Sequence, residues 1–331
     1  MSAVEVSFFM PTAGKKTRKR WRAMMLHVLL LTVGFVFLVK GADWFVEGAA
    51  GIAKKLGIPQ LVIGLTIVAM GTSMPEAAVS ITSALSGSAG ISIGNVVGSN
   101  ILNILIILGI TAVLTNVRIQ KTTFRYEIPF MIGITIILMA FGITGNQITF
   151  LEGILFWLLF LIFLGYLFVI SKKGSVQDEE EIKELPLWKG VLGIIIGGIL
   201  VVKGSDFAVE GATEIARYFG MSERFIGLTI VAFGTSLPEL VTSVTAARRG
   251  NADIAIGNIV GSNIFNILFV IGTTALICNV PFDQKFVTDT IVAIFSGVLL
   301  WAGTIRYKEL RKNCGIVMLL CYAGYFIYLC K

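Results

Sequence analysis

Charge is scarce in this chain of 331 residues: Asp, Glu, Lys and Arg together make up 14%, while hydrophobic residues make up 56% and mean hydropathy is +0.87. A water-soluble protein of this length needs a far more polar surface, so the composition indicates a polytopic membrane protein. Histidine is nearly absent. His27 stands alone near the start of the first apolar run, and a histidine-based active site would lack its partners. Cys278, Cys314, Cys321 and Cys330 lie in or beside apolar runs and read as buried free thiols, not as the framework of a secreted scaffold. Short alternating segments of about ten residues are missing, which excludes a β-barrel. The apolar runs are therefore helices. The net charge of +7 is no nucleic-acid footprint, because Lys and Arg sit at the ends of those runs.

Residues 1–23 form a basic tail, followed by apolar spans at roughly 24–42, 60–84, 91–115, 127–145 and 150–171. No small-residue cleavage site marks the tail as a removed signal. A charged linker over 172–186 contains Asp178-Glu179-Glu180-Glu181, and five further spans follow at roughly 187–206, 223–247, 253–279, 288–304 and 314–330. The second five begin close to 163 residues after the first five. The repeat is thus the whole architecture, with one unit over 24–171 and the other over 187–331.

Within the repeat, Gly64-Leu-Thr-Ile-Val-Ala-Met-Gly-Thr-Ser-Met-Pro-Glu76 returns as Gly227-Leu-Thr-Ile-Val-Ala-Phe-Gly-Thr-Ser-Leu-Pro-Glu239, and Val39-Lys-Gly-Ala-Asp43 returns as Val202-Lys-Gly-Ser-Asp206. Likewise Gly94-Asn-Val-Val-Gly-Ser-Asn-Ile-Leu-Asn103 matches Gly257-Asn-Ile-Val-Gly-Ser-Asn-Ile-Phe-Asn266. Five spans per half is an odd number, so the second half enters the membrane from the opposite side. The expected fold is all-α, with ten transmembrane helices as two inverted five-helix repeats.

Loop charge sets the expected orientation. The side of the central loop carries fifteen basic residues from Lys54 to Lys312, against Arg217, Arg224, Lys285 and Lys331 opposite. The central loop is therefore expected in the cytoplasm and both termini outside, in a multi-pass protein of the cell membrane. The basic tail lies on the wrong side for this rule. Either translation begins at Met24 or Met25, or the internal loops outvote the tail.

Polar residues in the middle of apolar spans are the candidates for function. A carboxylate there costs roughly 2.5–3.5 kcal/mol on insertion scales, and Glu76 and Glu239 occupy equivalent places. Pro75 lacks an N–H and loosens the helix around Gly71, which frees carbonyl oxygens, with Ala69 or Thr72 as the donors. Ser73 and Glu76 share a helix face at three residues' spacing. Hydroxyl, carbonyl and carboxylate oxygens suit hard cations such as Na⁺ and Ca²⁺, and two facing carboxylates match one divalent charge. Asn95, Ser99 and Asn103, with Asn258, Ser262 and Asn266, add a polar stripe at four-residue spacing. Such a stripe either lines a site or bonds helices together. The glycine pairs 94/98 and 257/261 have the spacing of close helix contacts, while Asp43, Glu47, Asp206 and Glu210 read as helix-end caps and ion pairs.

At these two motifs the chain resembles the cation/calcium antiporter superfamily, specifically its sodium/calcium exchangers of compact prokaryotic type. The resemblance rests on Gly71-Thr-Ser-Met-Pro-Glu76 and Gly234-Thr-Ser-Leu-Pro-Glu239, each followed by Gly-Asn-x-Val-Gly-Ser-Asn-Ile-x-Asn, and it covers about residues 24 to 331. It implies a ten-helix antiporter that extrudes Ca²⁺ electrogenically at the expense of inward Na⁺. Glu76 and Glu239 would be the shared carboxylates. Thr72 and Thr235 would give carbonyls, Ser73 and Ser236 hydroxyls, and Ala69 and Ala232 carbonyls to peripheral Na⁺ sites completed by Ser99 and Ser262. Asn103 matches the central amide of the family. Several members carry Asp where this chain has Asn266, so a third carboxylate is missing and Asn103 and Asn266 form a near-symmetric pair. The first two helices of each half would slide as a gate.

The expected function is Na⁺/Ca²⁺ antiport by alternating access, with H⁺/Ca²⁺ or other divalent-cation antiport as the alternative. A cation channel fits less well, because it needs one open pore. No nucleophile or acid–base set supports an enzyme. The ions would bind as substrates with no cofactor, the bilayer is the expected surrounding, no nucleic acid is expected, and one copy would suffice for transport.

Overall fold

A computed structural model describes residues 15–87, 89–173, 185–221 and 232–329. The architecture is helical. Helix α1 (Lys15–Leu56) is followed by α2 (Gln60–Thr72) and α3 (Met74–Leu85), which meet at a 49° bend, and then by α4 (Gly90–Leu114). Next come α5 (Thr123–Gly145) and α6 (Phe150–Lys173). The second half holds α7 (Leu187–Tyr218), the short α8 (Ala232–Gly234), α9 (Leu237–Arg248), α10 (Ala252–Ile277), α11 (Gln284–Thr304) and α12 (Lys312–Leu329). Among the described residues, eight helices are long and apolar enough to cross a membrane, and the bent pair α2–α3 makes a ninth. Of the remaining expected span, 223–247, the part up to residue 231 lies outside the described residues; α8 and α9 are the rest.

Two helices outrun their apolar cores. Helix α1 continues past residue 42 to Leu56 and α7 past residue 206 to Tyr218, so Asp43, Glu47, Asp206 and Glu210 stand inside helices instead of capping them. Neither stretch contains a proline, and the positive φ angles of Gly57 and Gly220 (63° and 77°) end each helix in the left-handed region. Asp43 and Glu47 pair with Arg249 beyond the end of α9, at 2.8 and 3.3 Å, whereas Asp206 pairs with Lys203 on its own helix.

α1 and α7 run antiparallel and interlock through glycines spaced seven apart, Gly34, Gly41 and Gly48 against Gly204, Gly197 and Gly190. A Cβ on Gly41 would meet the Gly197 carbonyl oxygen at 2.8 Å, and one on Gly197 would meet the Phe45 nitrogen at 2.6 Å. Only glycine lets the backbones come this close. The contacts are paired across the repeat: Gly48 meets Gly190, and Gly211 meets the carbonyl of His27.

At the centre lie α4 and α10, enclosed by other helices and carrying buried serines and asparagines among their apolar residues. In α10, 94% of the most apolar window is buried, as befits a helix with neighbours all round. Gly64 of α2 packs directly on Gly257, and Gly261 on Leu65, so the second-repeat glycine pair makes the expected close contact. A Cβ on Gly94 would meet only the Phe286 ring, and one on Gly98 would meet nothing within 4 Å among the described residues. Two short antiparallel ladders tie the halves together. Strand β1 (Val117–Arg118) pairs with β4 (Glu309–Leu310), and β2 (Gln147–Ile148) with β3 (Val280–Pro281).

The glycine interlock yields a stability test. Gly41→Leu or Gly197→Leu forces backbone atoms apart and should cost about 1–3 kcal/mol per site, read as a lower melting temperature of the purified protein in detergent. Gly133→Ala and Gly165→Ala, where nothing stands within 4 Å of the added carbon, should leave it unchanged.

Candidate functional site

Each half of the site is built by a broken helix and an under-wound one. Between α2 and α3, Ser73 leaves helical geometry (φ −85°, ψ 8°), and between α8 and α9 Ser236 does the same (φ −95°, ψ 7°). Proline sits in the first turn after each break, where a missing N–H removes no intrahelical bond. Both breaks thus start a new helix with a glutamate in its first turn, where the amide dipoles favour negative charge. On the neighbouring helices a π-helical segment opens at Asn103 (Asn103–Leu108) and another at Asn266 (Asn266–Ile271). Such a wide turn re-aims the residues that follow and is frequent at functional sites.

The two carboxylates are each 1% exposed, and each is bonded by the serine of the other half. Ser73 Oγ donates to Glu239 Oε1 at 2.9 Å, and Ser236 Oγ to Glu76 Oε1 at 3.4 Å. The remaining oxygens, Glu76 Oε2 and Glu239 Oε2, are buried and have no hydrogen-bond partner among the described residues. The same holds for Asn103 Oδ1 and Asn266 Oδ1. Four buried oxygens in two symmetry-related pairs are thus left without a donor among the described residues. In a protein interior this is costly, so each asks for an explanation.

The other residues singled out from the sequence fall around this centre. Thr72 is buried and donates to Asn258 Oδ1 at 3.0 Å, and Ser262 Oγ reaches the Ala69 carbonyl at 3.4 Å, joining α2 to α10. The Ala69 carbonyl is not set free by the break, because it still accepts the Ser73 N–H at 3.0 Å. Ser99 is buried at the matching place on α4, Thr235 is half-buried in the turn before Ser236, and Ala232 opens α8. No hydrogen bond among the described residues joins these three to the cluster.

Asn95 and Asn258 face backwards, onto the glutamate helices. Asn95 Nδ2 donates to the Glu76 carbonyl and Ser80 Oγ, and Asn258 Nδ2 to the Glu239 carbonyl and Ser243 Oγ. Ser80 and Ser243 went unnoticed in the sequence, although each stands four residues after its glutamate. Asn100 and Asn263 were also missed. They bond across the centre, each amide donating to the other's backbone carbonyl at 3.2 Å. Their signal was present, since both fall in the repeated Gly-Ser-Asn-Ile.

No group of three or more His, Cys, Asp or Glu gathers among the described residues. The cluster offers two carboxylates plus neutral oxygens, donors of the kind a hard cation takes. A family model described as sodium/calcium exchanger protein matches residues 26–169 and 189–331. The chain belongs to the sodium/calcium exchanger family. This family member is 33% identical over 349 aligned residues to the sodium/calcium exchanger MaX1 of Methanosarcina acetivorans, covering 92% of this chain and 98% of that one. It is 36% identical to the inner membrane protein YrbG of Escherichia coli, covering 92% and 96%. Among solved structures, it resembles the sodium-calcium exchanger NCX_Mj soaked with zero Na⁺ and Ca²⁺, with a TM-score of 0.81 and 32% identity over 92% of this chain and 99% of that one. The exchanger is thus a multi-pass membrane transporter and not an enzyme.

The two half-sites are not equally braced, which gives a test. Asn258 is fully buried and makes three side-chain contacts, to Thr72, Ser243 and the Glu239 carbonyl; Asn95 is half-buried with two. Asn258→Ala should destabilise the protein by about 1–3 kcal/mol, the range for orphaned buried partners. Asn95→Ala should cost less, both being read by thermal unfolding in detergent.

Proposed function

We propose that this chain exchanges Na⁺ for Ca²⁺ across the cell membrane by alternating access at a two-glutamate site. The observation that carries this reading is the reciprocal crossing of Ser73 to Glu239 and Ser236 to Glu76, with four buried oxygens left unpartnered around it. Two carboxylates balance one divalent ion, and the amide oxygens of Asn103 and Asn266 add neutral ligands of the type calcium takes. Ala69, Ala232, Ser99 and Ser262, with Thr72, Thr235, Ser73 and Ser236, are assigned to flanking Na⁺ positions. The contact from Ser262 to the Ala69 carbonyl supports one such position.

Alternating access draws support from the pairing of contacts across the repeat. Antiparallel α1 and α7, and asparagines 163 residues apart bonded to each other, fit two five-helix units inserted in opposite senses. Ten spans then result, with the central loop on the cytoplasmic side, the side that loop charge favours. The neighbouring structures of NCX_Mj include ones soaked with Na⁺ together with Ca²⁺ or Sr²⁺, which supports the same ion pair for this chain. An empty two-carboxylate site is expensive to carry through the membrane, and this links the movement to cation occupancy.

Proteoliposomes loaded with Na⁺ should take up ⁴⁵Ca²⁺, and K⁺-loaded vesicles should not. Uptake driven by a pH gradient alone would overturn Na⁺ coupling in favour of proton exchange, and uptake without any counter-ion gradient would overturn antiport. Glu76→Gln and Glu239→Gln should each abolish exchange; full activity in either would mean that the central ligands are misassigned. Asn266→Asp should retain transport but alter its pH dependence, because a carboxylate titrates where an amide does not.

A further inference from the structure

Around the pseudo-symmetric centre, four asparagine side chains form one closed set of hydrogen bonds. Asn100 Nδ2 donates to the Asn263 backbone carbonyl and Asn263 Nδ2 to that of Asn100, both at 3.2 Å. The side-chain carbonyls of this pair are then free to accept. Asn103 Nδ2 donates to Asn263 Oδ1 at 2.9 Å, and Asn266 Nδ2 to Asn100 Oδ1 at 3.1 Å. All four residues are buried, at 3% exposure or less.

This arrangement has a consequence for the two amides beside the glutamates. A carboxamide can present either its oxygen or its NH₂ to a given side. Turning Asn103 over would set its oxygen against Asn263 Oδ1, acceptor against acceptor, and turning Asn266 over would do the same with Asn100 Oδ1. Neither Asn100 nor Asn263 can turn in compensation, because each Nδ2 is held by a backbone carbonyl across the centre. Within this set the ends left over are Asn103 Oδ1 and Asn266 Oδ1, which have no hydrogen-bond partner among the described residues. The π segments that open at Asn103 and Asn266 pack on α9 and α3 respectively, the helices of Glu239 and Glu76.

We infer that Asn100 and Asn263 are positioning residues that fix the carboxamides of Asn266 and Asn103 with their oxygens toward the cation. Asn100 acts on Asn266, and Asn263 acts on Asn103. The pairing is crossed between halves, so each half's amide is oriented by the other half. It also accounts for an amide at position 266: Asn100 Oδ1 needs a donor there, and an ionised carboxylate has none. The inference rests on reading this cluster as the ion site.

The test is equilibrium ⁴⁵Ca²⁺ binding to the purified full-length chain in detergent, with Asn100→Ala, Asn263→Ala, Asn103→Ala, Asn266→Ala and their double variants. Asn100→Ala and Asn263→Ala should each weaken binding about tenfold or more, as loss of partners behind metal ligands does. In the Asn266→Ala background, Asn100→Ala should add little, because the amide it orients is gone; in the Asn103→Ala background it should exert its full effect. Asn263→Ala should show the converse pattern, so either half carries the test if one variant does not fold. An effect of Asn100→Ala that is the same in both backgrounds would assign it to helix packing and overturn the inference. A parent chain that binds while Asn100→Ala and Asn263→Ala bind equally well overturns the inference alone. A parent chain that binds no ⁴⁵Ca²⁺ overturns the ion-site reading and the inference with it.

Discussion

Two carboxylates held out of water within one apolar core are the constraint that the rest of the structure answers. Among the described residues neither glutamate pairs with a lysine or arginine, and each takes one hydroxyl from the opposite half. Everything nearby is arranged so that neither half is complete alone. The helix breaks at Ser73 and Ser236 exist to swing a hydroxyl across the centre, and a continuous helix would turn those side chains elsewhere. The prolines that follow the breaks cost nothing there, since the first turn of a new helix has spare N–H groups in any case.

The close approach that this crossing demands explains the glycines. Gly64, Gly257 and Gly261 let α2 lie on α10 with their backbones nearly touching, and Ala69 then comes within reach of Ser262. In the membrane there is no hydrophobic drive for helix pairing, so packing and hydrogen bonds between helices must supply the specificity. The asparagines serve that end. Asn95 and Asn258 fasten the central helices to the glutamate helices from behind, while Asn100 and Asn263 fasten the central helices to one another.

Much of this was legible in the sequence, and what was not has physical reasons. The repeat, the helical class and the pairing of Glu76 with Glu239 follow from residue type and spacing, because a mid-span carboxylate is too costly to be accidental. Helix ends were not legible from hydropathy. α1 runs on to Leu56 and α7 to Tyr218, since charged residues continue a helix as readily as apolar ones and only Gly57 and Gly220 stop it. The roles of the asparagines were half legible. A stripe at 95, 99 and 103 assumes a regular 3.6-residue period, but the π segment opening at Asn103 changes that period just where the amide must be aimed. Asn100, off the stripe by that count, is the residue that meets Asn263.

Departures from the repeat show which features the centre requires and which it does not. Arg249 ties α1 to the end of α9 through Asp43 and Glu47, whereas the corresponding residue of the first repeat is Ser86 and no such tie forms. Between the fourth and fifth long helices of each half a tyrosine bonds a carboxylate, Tyr166 to Glu127 and Tyr325 to Asp289, yet the two pairs occupy non-equivalent positions. The rim has thus drifted while the centre has not: Ser73, Glu76, Ser80, Asn95, Ser99, Asn100 and Asn103 each keep the same residue type in the second half, whereas Ser83, Ser86 and Ser92 are replaced by Ala246, Arg249 and Ala255. That difference is what a shared site would produce. A tie at the rim, such as Arg249 on Asp43 and Glu47, can be gained in one half alone, but a residue such as Ser73, Asn100 or Asn103, which bonds the central residues of the other half, is constrained from both.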